Sequence, residues 1–236
     1  VTPTEGITEA RLAYARFEGR SDDMARIAYE TAAQFSPQHL IAAIGPTGLP
    51  LDPTSAVSLK QSKKQYHDAV LALTQYPFDA LYFTGFKNLD DAQCALMGAR
   101  AVYDGPVFIS LAPNGEGMFP GGRTLSEGVA LCDEYGADVI GVVSDAPAHV
   151  LVGFAKEMAS ATDKPLLVDA SVRRKDRRQF EPTDENPYPT ADAVVELAVR
   201  LRAQGVQFLR ASGAATPAYT GALLATVGGG DVVAPQ

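Results

Sequence analysis

The sequence predicts an α/β protein on a parallel sheet, wound as a (β/α)8 barrel rather than left open, and three observations carry that reading. Six short apolar runs alternate with amphipathic helical stretches, and strict strand-helix alternation gives parallel strands joined by helical crossovers. No segment fits G-x-G-x-x-G or G-x-x-x-x-G-K-[ST], the phosphate loops that a doubly wound nucleotide-binding sheet carries after an early strand. Polar residues gather instead at the C-terminal ends of several strands, where a barrel keeps its chemistry. The 236 residues suffice for one large core, and residues 1–236 are read as a single barrel domain.

Taken in order, the predicted strands are HLIAAIG (39–45), ALYFTGF (80–86), VFISLAP (107–113), DVIGVVSD (138–145), PLLVDAS (165–171) and FLRASG (208–213). Each is short, rich in Val, Ile, Leu or Phe, and ends at or beside Gly, Pro, Ser or Asp, which is the signature of a buried strand. Between them, SLKQSKKQYHDAVLALTQY (58–76) and TADAVVELAVRLRAQG (190–205) place apolar residues every three or four positions, as helices do. Thr190 is the expected N-cap of the second and Gly205 its stop.

Composition narrows the function classes. A net charge of -8 argues against a nucleic-acid partner, which needs a basic surface to displace counterions. No apolar stretch reaches the roughly 18 to 20 residues that span a bilayer, and no charged-then-apolar leader is seen, so no membrane association and a cytoplasmic location are expected. The two cysteines, Cys94 and Cys132, fall within helical patterns and form neither a disulfide framework nor a Cys-x-x-Cys pair. Both are read as small core residues.

The ordered segments IAAIGPTG (41–48), LYFTGFKNLDDAQCAL (81–96), PVFISLAP (106–113), GGRTLSEGVALCDEYGADVIGVVSDAP (121–147), KPLLVDAS (164–171) and YPTADAVVELAVRLRAQGVQFLRASGAATP (188–217) resemble the homocysteine S-methyltransferase family. The resemblance runs over nearly the whole chain in one register, and the family includes the homocysteine-binding domain at the N-terminus of cobalamin-dependent methionine synthase. It implies a (β/α)8 barrel. The family's first strand, with an Asp-Gly-Ala-Met-Gly-type motif, has no counterpart here, and VTPTEG (1–6) reads as the C-terminal end of the second strand.

The resemblance also implies methyltransfer to homocysteine at a zinc ion held by three cysteines, one in an Asn-Cys motif and two in a Gly-Gly-Cys-Cys-Gly-Thr-Thr-Pro motif. In this chain the Asn-Cys positions read Val143 and Ser144, and the Cys-Cys pair reads Ser212 and Gly213. Serine hydroxyls and a glycine cannot make a tetrahedral thiolate site, so no cofactor is expected and zinc-dependent methylation is disfavoured. The family's ammonium-binding Glu falls on Thr84, and its Pro-Asn motif on Ala170 and Ser171. The resemblance therefore implies a methyltransferase, while the lost ligands leave catalysis itself open.

What remains at the strand ends is Asp145 and Asp169 as candidate catalytic carboxylates, with Thr84, Ser144, Ser171, Arg210 and Ser212 as candidate substrate contacts. Asp145 also reads as the N-cap of the helix that follows, since Pro147 suits a first helical turn. Arg210 can clamp a carboxylate or phosphate, or plug the mouth by pairing with Asp169 or Asp145. The run SVRRKDRRQFEPTDENPYP (171–189) can receive an anion or an acidic partner, or stand as a solvated loop whose Asp and Glu offset its arginines. LAPNGEGMFPGGRT (111–124) is a candidate lid or a set of plain turns. His39, His67 and His149 share no metal-ligand spacing.

Three functions follow: a divergent methyl-transfer enzyme, a non-catalytic barrel that binds a corrinoid or folate methyl-transfer partner protein, and an aldolase- or lyase-type barrel. The last needs a Schiff-base lysine inside a strand, and none of the six runs contains one. A small-molecule ligand or a methyl-transfer partner is expected, with homo-oligomerisation open.

Overall fold

The computed structural model describes residues 1–174 and 178–228. In chain order they form α1 (Glu9–Tyr14), α2 (Ser21–Ala33), β1 (Ile41–Ile44), α3 (Ala56–Leu73), β2 (Ala80–Phe86), α4 (Leu89–Arg100) and β3 (Val107–Leu111). A short hairpin, β4 (Met118–Phe119) with β5 (Arg123–Thr124), precedes α5 (Leu125–Glu134), β6 (Val139–Ser144), α6 (Ala148–Ala161), β7 (Leu166–Val172), α7 (Ala191–Arg202), β8 (Phe208–Gly213) and α8 (Pro217–Gly228). All six predicted strands are present. The chain clusters into two compact units, Val1–Leu111 with Ala130–Ile140, and Ala112–Val129 with the residues from Gly141 onward.

In the first unit β1, β2 and β3 run parallel, with Ile44 beside Phe83 and Phe83 beside Ile109 in register. These three side chains share one face, because paired residues of parallel strands point the same way. Tyr66 of α3 covers that face, with its ring centroid 6.1 Å from Phe83 and 5.8 Å from Phe86. Each such aromatic or branched side chain, buried fully, contributes about 1.5–3 kcal/mol. Ahead of α1, Thr2 forms an isolated parallel bridge with Ala42, and the Thr4 hydroxyl donates to the Ala43 carbonyl at 2.7 Å.

Strand starts are fixed by one device used three times. The residue just ahead of a strand donates its N–H to a carbonyl one strand back, and its side chain accepts that same residue's N–H. Asp79 does this to Leu40 (2.8 and 2.6 Å), Asp138 to Val107 (2.8 and 2.8 Å), and Gln207 to Leu166 (3.2 and 2.7 Å). Two opposed bonds at one residue leave no freedom to slip by one position, which would turn every side chain to the other face.

In the second unit β7 and β8 pair in parallel. Val168, Ala170 and Leu209 face Leu197 and Leu201 of α7 and Leu223 of α8. A Cβ at Gly141 of β6 would lie 2.1 Å from the Leu167 carbonyl oxygen, so that close approach requires glycine.

Helix starts follow the sequence in part. Asn88 caps α4 by accepting the Asp90 N–H at 2.8 Å, with Asp90 and Asp91 in the first turn. Thr190 stands at the N-cap of α7 without a side-chain bond to the helix, and Gly205 (φ 82°) follows its end. The capping role expected of Asp145 is corrected: α6 begins at Ala148 with Pro147 at the N-cap, and no side chain caps it. The Asp145 carboxylate is instead taken by Arg173.

Candidate functional site

β6, β7 and β8 deliver six of the seven candidate residues to the second unit, and their placement follows from strand alternation. Asp169 and Ser171 lie two apart on β7, beside Arg210 and Ser212 of β8 in register. Val168, Ala170 and Leu209 turn to the helices, so the polar four occupy the opposite face. Asp169 has no exposed surface, and the Arg210 guanidinium, one quarter exposed, donates to its Oδ2 at 2.8 Å. This is the Arg210–Asp169 pairing weighed from the sequence. Removing one partner of such a pair leaves a buried charge, at a cost of about 3–5 kcal/mol.

At the end of β6, the Ser144 hydroxyl accepts the Ala146 N–H at 3.1 Å. Arg173 donates to Asp145 at 2.6 Å, with both side chains about half exposed. That hydrogen bond, with the charge of Asp145, raises the Arg173 guanidinium further above its usual value. A solvent-facing carboxylate of this kind can meet a ligand, whereas Asp169 reaches one only through Arg210.

Sequence reasoning missed the residue that ties these strand ends together. Tyr188, 1% exposed, donates its hydroxyl to the Ala146 carbonyl at 2.8 Å, and its own carbonyl accepts the Tyr219 hydroxyl at 2.9 Å. The segments after β6, β7 and β8 are thus joined at one residue, through the Tyr188 phenol and its backbone carbonyl. The available signal was an aromatic residue framed by prolines in Asn-Pro-Tyr-Pro.

Thr84 lies in the first unit, at the end of β2. The Tyr82 hydroxyl donates to Ser110 at 2.8 Å, and Ser110 donates to Thr84 at 3.2 Å, so three hydroxyls run along one face of β2 and β3. Gly85, at φ 84°, makes the bulge that follows. Of the basic run, Lys175, Asp176 and Arg177 lie outside the described residues. The 111–124 segment folds back as the β4–β5 hairpin, pinned by Asn114 Oδ1 accepting the Glu116 and Met118 N–H groups. His39 lies 4.0 Å from Asp79, His67 donates or accepts with Asp68 at 2.9 Å, and His149 is exposed in α6.

The donor set does not fit a thiolate-bound zinc. Val143, Ser144, Ser212 and Gly213 supply no thiolate, and no group of three His, Cys, Asp or Glu side chains among the described residues is placed to hold a metal ion. Position 213 is closed as well: its φ is 69°, and a Cβ there would lie 2.5 Å from the Val172 carbonyl oxygen. Cys94 is buried in α4 with its thiol on the Leu59 carbonyl, and Cys132 is buried in α5.

The homocysteine S-methyltransferase family profile matches residues 4–229. Among solved structures, the chain is similar to the homocysteine methyltransferase MmuM from Escherichia coli. The metallated form matches at 18% identity and a TM-score of 0.70, covering 95% of this chain and 77% of that one. The oxidized form gives 18% and 0.71 over the same shares, and the apo form 19% and 0.64, covering 88% and 71%. No curated protein sequence matches. In every helix among the described residues, length and apolarity fall short of what crossing a membrane requires.

Proposed function

This chain belongs to the homocysteine S-methyltransferase family, and on that premise we propose that it is a divergent, methyl-transfer-related member whose site works without a zinc thiolate centre. The closed backbone at Gly213 carries the reading, because it removes a ligand position in the main chain and not only in the side chain. Zinc sites of this kind need three protein ligands of suitable softness, and hydroxyls at 144 and 212 are poor substitutes. In the proposed site, Asp145 is the carboxylate that faces a ligand. Arg210 supplies a fixed cation for a carboxylate group, and buried Asp169 positions it. Ser144, Ser171 and Ser212 offer hydroxyl contacts.

A second reading is a non-catalytic barrel that binds a corrinoid or folate methyl-transfer partner. The Arg210–Asp169 pair favours it, since a guanidinium held at 2.8 Å by a carboxylate beside it on the same face occupies space that an acceptor would need. Titration of the protein with homocysteine, with and without zinc, together with elemental analysis, tests both. We expect no stoichiometric zinc. Homocysteine binding indifferent to zinc supports the enzyme reading, and absence of homocysteine binding supports the scaffold. One tightly held zinc per chain, required for homocysteine binding, overturns both.

A further inference from the structure

Beside the ends of β7 and β8, the second unit carries a cavity of about 690 Å3, lined by Arg173, Arg174, Thr190, Thr216 and Tyr219 among others. Its volume falls within the range of small-molecule pockets. Among its lining residues the two arginines are the only charged side chains, in a chain of net charge -8. Arg173 is already engaged by Asp145. Arg174 is exposed and makes no ion pair among the described residues. The Thr190 hydroxyl makes no bond to cap α7. A concave wall that joins a guanidinium without an ion-pair partner among the described residues to hydroxyl groups, with no carboxylate among its described lining residues, attracts anions. A guanidinium's planar fork of N–H donors suits two oxygens of one head group.

We propose that this cavity binds the anionic head group of a small molecule, a phosphate or a carboxylate, with Arg174 as the cation and Thr190 and Thr216 as hydroxyl donors. The proposal does not require the methyl-transfer reading, and anions other than homocysteine test it separately. Val172 and Ala214, which line the cavity, lie within two residues of Ser171 and Ser212. An anion held here would anchor a ligand whose remaining atoms extend toward those hydroxyls.

Isothermal titration of the whole chain with inorganic phosphate and with succinate, at constant ionic strength set by chloride, tests the site. A saturable heat with one of them is expected, and the one that saturates identifies the head group. Arg174→Ala should weaken it about tenfold or more, Arg174→Lys should restore only part of it, and Thr216→Val should weaken it less. Because Arg174 is exposed, the unfolding midpoint of Arg174→Ala should match the parent's. No saturable heat with either anion, or Arg174→Ala binding as the parent does, overturns the proposal.

Discussion

The Cys132 thiol has no exposed surface in α5, and loss of water around its thiolate pushes it up to about 12, with Asp133 adding to the shift. Burial also raises the Cys94 thiol. Since the thiolate is the reactive species, native protein should leave both thiols unlabelled by a disulfide reagent at neutral pH, and both should react in denaturant. Rapid labelling of either in the native state would mean that its helix opens readily. Asp91 shows the same physics in a carboxyl group. Burial raises it, and hydrogen bonds from Tyr66 and Ser62 only partly oppose that. An acid whose folded pKa lies above its unfolded one lends stability that is complete below about pH 4 and is lost as pH rises through the raised value. Asp91→Asn should therefore gain stability over the parent near pH 7 and gain none at acid pH. Urea unfolding at several pH values checks this, and a gain that is the same at every pH would contradict the burial argument.

At the scale of elements, the clamps at Asp79, Asp138 and Gln207 differ in strength, and that difference is testable. Asp138 serves the Val107 N–H and also receives Arg100 at 2.7 Å, while Arg100 donates to the Gly136 carbonyl. Gln207 serves the Leu166 N–H with a neutral amide. Asp138→Ala should cost about 2–3 kcal/mol, as a charged acceptor removed from two donors, and Gln207→Ala about 1 kcal/mol. Equal losses by urea unfolding would show that charge adds nothing to the clamp. The strands themselves were legible because apolar runs bounded by Gly, Pro, Ser or Asp need no partner to be seen. The clamps were not, since a polar residue ahead of a strand is ordinary until its mate, 31 residues away for Asp138 and 41 for Gln207, is beside it. The expected Asp145 cap failed for the same reason: Arg173, 28 residues on, decides where that carboxylate points.

For the whole molecule, family membership rests on a profile match across residues 4–229, whereas the proposed lack of metal donors rests on reading residues 144, 212 and 213 against the family's motifs. What the sequence hid is that the backbone at Gly213 leaves no room for a side chain. Ser144 and Ser212 each carry a Cβ already, so Ser144→Cys with Ser212→Cys should fold as the parent does. Those two thiolates fall short of the three protein ligands a zinc site of this type needs. Adding Gly213→Cys places a Cβ at a φ of 69°, 2.5 Å from the Val172 carbonyl oxygen. The left-handed conformation alone costs about 1–2 kcal/mol, and the overlap forces β7 and β8 apart where Val172 pairs with Gly213. The triple variant should lose about 2 kcal/mol or more and still bind no stoichiometric zinc by elemental analysis. If it bound one zinc per chain at parental stability, the backbone at 213 would be free to turn, and the proposal that this site works without zinc would rest on side chains alone.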